Sequence, residues 1–153
     1  MIHAVLERAL RLEFALIRRA SELMSPSSIF EKHSLAIVNN SPHNAFLALG
    51  RHDTLMPVKD SFSTGWIALR SGETFTVNLN VNVDRGLLVG IYAIGSNGGQ
   101  WTGDTDMYIL PRKDFNIHGA FSGEPELLEG VGSMKIAKAD LIKVTGDYIY
   151  RLT

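Results

Sequence analysis

At 153 residues, with 45% hydrophobic and 20% charged content, the chain has the size and make-up of one folded domain and not of a disordered one. Its 15 Lys+Arg against 16 Asp+Glu give a net charge of -1, which disfavours nucleic acid, a partner that calls for a clustered cationic excess. The absence of cysteine removes disulfides, thiolate catalysis and Cys-based metal sites together; it suits a reducing compartment, and the expected location is cytoplasmic.

The opening segment, MIHAVLERALRLEFALIRRASELM, predicts an amphipathic α-helix over residues 1–24. At 100° per residue, Ile2, Val5, Leu6, Ala9, Leu10, Leu12, Leu16, Ile17, Ala20, Leu23 and Met24 share one apolar sector of about 160°. Arg8, Arg11, Arg18, Arg19, Glu7 and Glu22 occupy the opposite arc, and Glu13 is the one charge inside the sector. Glu7, Arg8, Arg11 and Glu13 interrupt any apolar core of a signal peptide. No run approaches the roughly 18–20 uncharged apolar residues that span a bilayer. Ser25-Pro26-Ser27-Ser28 then breaks the helix, so residues 25–32 are expected as a hinge and 33–153 as the main domain.

From there the pattern is one of strands. Ser34–Val38 and Ala45–Leu49 flank an Asn-Asn-Ser-Pro turn, and a polar loop is expected over 50–62. Gly65–Leu69 reads as a third strand. Residues 74–83 alternate most cleanly: Phe75, Val77, Leu79, Val81 and Val83 face one way, Thr74, Thr76, Asn78, Asn80 and Asn82 the other. Leu87–Ile94 returns as a more buried strand, followed by a glycine-rich bend at 95–99. Trp101, Met107–Leu110, Phe115–Ile117, Ser133–Ile136 and Asp147–Leu152 complete the set, with a loop expected over 119–130. About eight short strands with regular turn signals predict a mainly β protein. Its expected form is an antiparallel β-sandwich or jelly-roll-like barrel carrying the N-terminal amphipathic α-helix.

Residues that could carry chemistry are scattered. His3, His33, His43, His52 and His118 show no i,i+2 or i,i+4 pair, so no metal is expected. His52 and Asp53 near Ser61 and Ser63 lack the nucleophile elbow of a hydrolase. Gly130–Lys135 lacks the full phosphate-loop signature, and Gly103-Asp104-Thr105-Asp106 brings two carboxylates, too few for calcium. Three asparagines at alternate positions, in a strand that disfavours them, suggest a face used for hydrogen bonding.

In order along the chain, Val38-Asn39-Asn40-Ser41, Ala48-Leu49-Gly50, Gly65-Trp66-Ile67-Ala68-Leu69-Arg70-Ser71-Gly72-Glu73, Ile91-Tyr92-Ala93, Gly99-Gln100-Trp101-Thr102-Gly103, Phe115-Asn116-Ile117-His118-Gly119 and Tyr150-Arg151-Leu152 resemble a bacterial family, domain of unknown function 1036. The resemblance covers about residues 35–153 and implies a small β-rich module, with no activity, ligand or catalytic residue attached. Members of that family commonly carry cysteines after the Trp-x-Gly segment, where this chain has none. The layout of helix, hinge and sandwich is also similar to that of actinoporin-like pore-formers, a likeness of plan alone.

Function is therefore expected to lie in joining, without catalysis and without a cofactor. The expected interface is Ile2, Val5, Leu6, Ala9, Leu10, Leu12, Leu16, Ile17 and Leu23, burying an apolar face against a second copy or a protein partner. Arg8, Arg11, Arg18 and Arg19 would meet that partner or, in the alternative reading, the headgroups of a membrane to which the helix docks or in which it forms a pore.

Overall fold

The computed structural model describes residues 30–153; the predicted helix, the nine apolar interface positions from Ile2 to Leu23 and the four arginines lie outside the described residues. The described chain forms eleven strands and one short 3-10 turn at Val58–Asp60. The strands are β1 (Phe30–Asn39), β2 (Ala45–Asp53), β3 (Phe62–Leu69), β4 (Thr74–Asn82), β5 (Leu87–Gly95), β6 (Gln100–Trp101), β7 (Thr105–Ile109), β8 (Phe115–His118), β9 (Glu126–Glu129), β10 (Lys135–Val144) and β11 (Tyr148–Leu152). The protein is mainly β, and its larger sheet is strongly curled and antiparallel.

Two sheets form. The smaller runs β11-β1-β4, the larger β7-β10-β5-β2-β3-β8-β9, with β6 pairing against β5. The alternation holds over 74–81 and ends at Asn82, which is buried like Val81; β4 lies antiparallel to β1 from Phe30 opposite Asn82 to Val38 opposite Thr74. Its Leu79 and Val81 are buried, while Thr74, Thr76 and Asn78 are exposed. One pairing departs from an all-antiparallel plan, because β11 runs parallel to β1. The first strand starts at Phe30, so β1 takes in the last three residues of the stretch 25–32, the rest of which lies outside the described residues.

Each face of the larger sheet has its own core. On one face Leu47, Leu49, Ile67, Leu69, Val89, Ile91, Ile142 and Val144 pack against Leu35, Ile37, Leu79, Val81 and Leu152 of the smaller sheet. On the other, Ala48, Trp66 and Tyr92 meet Met107, Ile109, Phe115, Ile117, Ala137 and Ala139. That second cluster draws on strands from both ends of the sheet order, which requires the sheet to curl around it. The curl is stitched where the Tyr108 amide donates to the Ala120 carbonyl and the Ser63 hydroxyl donates to the Tyr108 carbonyl. Strand β10 serves both cores: its first half pairs with β7 and its second with β5.

The inner face is graded in size along β2 and β5. Gly50 stands opposite Gly90, Ala48 opposite Tyr92, and Phe46 opposite Ile94. At the glycine end a Cβ on Gly50 would lie 2.5 Å from Phe121 Cζ, and one on Gly90 would lie 2.8 Å from it. The bare backbone is what lets the Phe121 ring seat there. That end of the trough is filled and the Phe46 end is open.

Candidate binding pocket

The open end of the trough is a pocket of about 470 Å3 lined by Phe46, Trp66, Ile94, Arg112 and Asp114. A bulge sets its floor. Ala48 pairs with Gly65 and Leu47 with Ile67, so Trp66 is an extra residue between two register pairs. Trp66 consequently points into the trough beside Gly65, while Ile67 still faces the other core. The indole is held on three sides. Its Nε1 donates to the Leu110 carbonyl at 2.9 Å, Phe115 meets it edge-on at 5.8 Å, and Tyr92 tilts against it at 6.1 Å. Burial pushes the Tyr92 phenol above its ordinary range. Above this floor the walls stay accessible, with Phe46 44% exposed.

The rim is polar and comes from the turn after Leu110. Pro111 precedes Arg112, whose φ of 62° is the only positive value among the described non-glycine residues. Proline followed by a left-handed residue is the order of a type II turn, in which that second place favours glycine. An arginine there costs roughly 1–2 kcal/mol of backbone strain. Arg112 and Asp114 both line the mouth, yet among the described residues no ion pair joins them and neither side chain has another hydrogen-bond partner.

Elsewhere the polar groups singled out in the sequence are engaged locally. His52 Nε2 meets the Met56 carbonyl, and Asp53 accepts from the Leu55 amide. The Ser61 hydroxyl donates to the Val58 carbonyl, and Ser63 donates to Tyr108. The structure therefore does not assemble them into a triad. His118 contacts Asp60 at 3.2 Å, and His33 lies between Glu31 and Asp147. The backbone amide of Ser34 and the His33 side chain hold the Asp147 carboxyl below its ordinary range. Asp106 pairs with Lys138. No group of three or more potential metal ligands occurs among the described residues, and no helix there is long and apolar enough to cross a membrane. A second, more polar cleft of about 290 Å3 lies between Ser41–His43, Asn97–Trp101 and Thr153, where Trp101 Nε1 donates to the Thr153 carbonyl.

The sequence reading missed every residue of the pocket as a site. The available signal was the Pro111-Arg112-Lys113-Asp114 turn, which places opposite charges two residues apart beside strands carrying Phe46 and Trp66. No protein-family model, no curated protein and no solved structure matches the chain. None of the three adds support to the resemblance drawn above to domain of unknown function 1036.

Proposed function

We propose that the protein is a non-catalytic recognition module whose trough takes a small, mostly apolar ligand. The observation that carries this is the pocket, with aromatic and aliphatic walls held open over a floor that is itself locked in place. Its volume falls within the range of about 300–1,000 Å3 typical of small-molecule sites. A neutral probe tests it. In a Trp101→Phe background, where Trp66 is the one remaining tryptophan, 2-phenylethanol should change the Trp66 emission saturably. Phe46→Ala should weaken that binding at least threefold with little change in the urea midpoint. No response in either background ends this reading.

A second reading, self-assembly, keeps the expected role of the leading segment and gains support from β4. Among the described residues β4 hydrogen-bonds as a strand only to β1, and it contains no charge and no proline. Its exposed half is complementary to itself: an antiparallel copy centred on Thr76 sets Thr74 opposite Asn78 and Thr76 opposite Thr76. A lysine there would face its own copy, so Thr76→Lys should convert a dimer to a monomer in sedimentation equilibrium. A wild-type chain that is already monomeric at high concentration rejects this reading.

A further inference from the structure

We infer that the ligand of the trough is a zwitterion with an apolar side chain, the chemistry of a free hydrophobic α-amino acid. This rests on the binding reading above and adds what the rim selects. A pocket built for a wholly apolar molecule gains nothing from two charged groups at its mouth. A pocket built for a fatty or aromatic acid gains from Arg112 and is opposed by Asp114. The two together, of opposite sign and not neutralising each other among the described residues, match a ligand carrying both charges on one end.

The parts divide the work by chemistry. Arg112 presents a planar fork of donors suited to a carboxylate. Asp114 accepts from an ammonium group. Phe46, Ile94 and the Trp66 indole supply the apolar wall for the side chain. Aromatic faces on two of these three favour an aromatic side chain over a short aliphatic one. The left-handed backbone at Arg112 fits the same account, because strain retained at a non-glycine position accompanies functional sites when the side chain cannot be dispensed with. Among the described residues the floor makes no use of the arginine, since the Trp66 indole is satisfied by the Leu110 carbonyl two residues earlier.

Four probes that share one phenyl group separate the terms: L-phenylalanine, L-phenylalaninamide without the carboxylate, 3-phenylpropanoate without the ammonium, and neutral 2-phenylethanol. Titration calorimetry at pH 7 on the full chain should rank phenylalanine at least tenfold tighter than each of the others. Arg112→Gln should bring phenylalanine down to the level of the amide. Asp114→Asn should bring it down to the level of 3-phenylpropanoate. Arg112 is exposed and Asp114 half-buried at the turn, and unchanged urea midpoints would show that the variants fold. Equal affinity for all four probes would overturn the zwitterion and leave the apolar pocket standing. Tighter binding of 3-phenylpropanoate than of phenylalanine would overturn the role of Asp114 and with it the inference. No binding by any probe would overturn both readings.

Discussion

The closed end of the trough depends on two glycines facing one ring, and a double-mutant cycle measures that dependence. In wild type, a methyl at position 90 would lie 2.8 Å from Phe121 Cζ, 3.1 Å from Cε1 and 3.2 Å from Met107 Sδ. The ring must retreat, and Gly90→Ala should cost about 1–3 kcal/mol, the range for overpacking a filled interior. With Phe121→Ala already in place the two closest contacts vanish and only the pliant methionine remains near. There the same change should be neutral or stabilise by roughly 0.5–1 kcal/mol, since glycine is unfavourable inside a strand. The coupling between the sites is then about 2 kcal/mol, within the range for residues in direct contact. Urea unfolding followed by far-UV circular dichroism reads it. At a slope of about 1–3 kcal/mol/M, the Gly90→Ala midpoint should move by on the order of 1 M in one background and hardly at all in the other. Additivity within 0.5 kcal/mol would show that Phe121 does not occupy the glycine seat, and the graded trough would lose its closed end.

Three further predictions test the rim and the surroundings. Asn116 is fully buried with neither amide atom hydrogen-bonded among the described residues, in contrast to buried Asn39, whose amide serves His43, Leu69 and Ser41. Asn116→Leu should therefore stabilise by about 1–3 kcal/mol in chemical denaturation, and destabilisation would reveal a partner the amide needs. Arg112→Gly should relieve the left-handed strain and raise stability by about 1 kcal/mol while abolishing preference for a carboxylate probe; a loss of stability would contradict the strain. Burial and the hydrogen bond to Asp140 at 2.7 Å push the Tyr150 phenol well above its ordinary range. The folded state thus favours the protonated phenol, and this stabilisation is complete below the unfolded value of roughly 10 and lost as pH rises past it. The stability difference between wild type and Tyr150→Phe should shrink above that pH, and a difference that widens would reverse the assignment.

The strands were legible where side chains declare a face. Residues 74–81 alternate without exception, and Leu87–Gly95 is apolar enough to stand as a strand between two cores. The sequence hid elements whose residues are chosen for what they leave room for. Gly50 looks like the start of the loop expected over 50–62, yet β2 continues to Asp53, because the glycine is seated under Phe121. The continuation of β10 past Ile136 was hidden for a related reason. Ala137 and Ala139 are small because they line the tight inside of the curl, and Lys138, Asp140 and Lys143 dilute any hydrophobic period. Strand β9, Glu126–Glu129, carries too little apolar character to stand out from the loop expected around it.

The pocket was illegible for a deeper physical reason. Its lining comes from β2, β3, β5 and the turn after β7, and no local period links Phe46, Trp66, Ile94, Arg112 and Asp114. Alternation places Phe46 and Ile94 on one face of their strands, but which face is concave depends on the curl, and the curl depends on distant small residues. Trp66 shares the inner face with Gly65 at a bulge, so two consecutive residues face the trough where strict alternation allows one. Without that bulge, the alternation set by Ile67 and Leu69 would turn Gly65 away from the trough, and the bare backbone on which the Phe115 ring seats would be lost. Phe115 meets the Trp66 indole edge-on, so the floor beneath Arg112 and Asp114 would lose one of the groups that hold it.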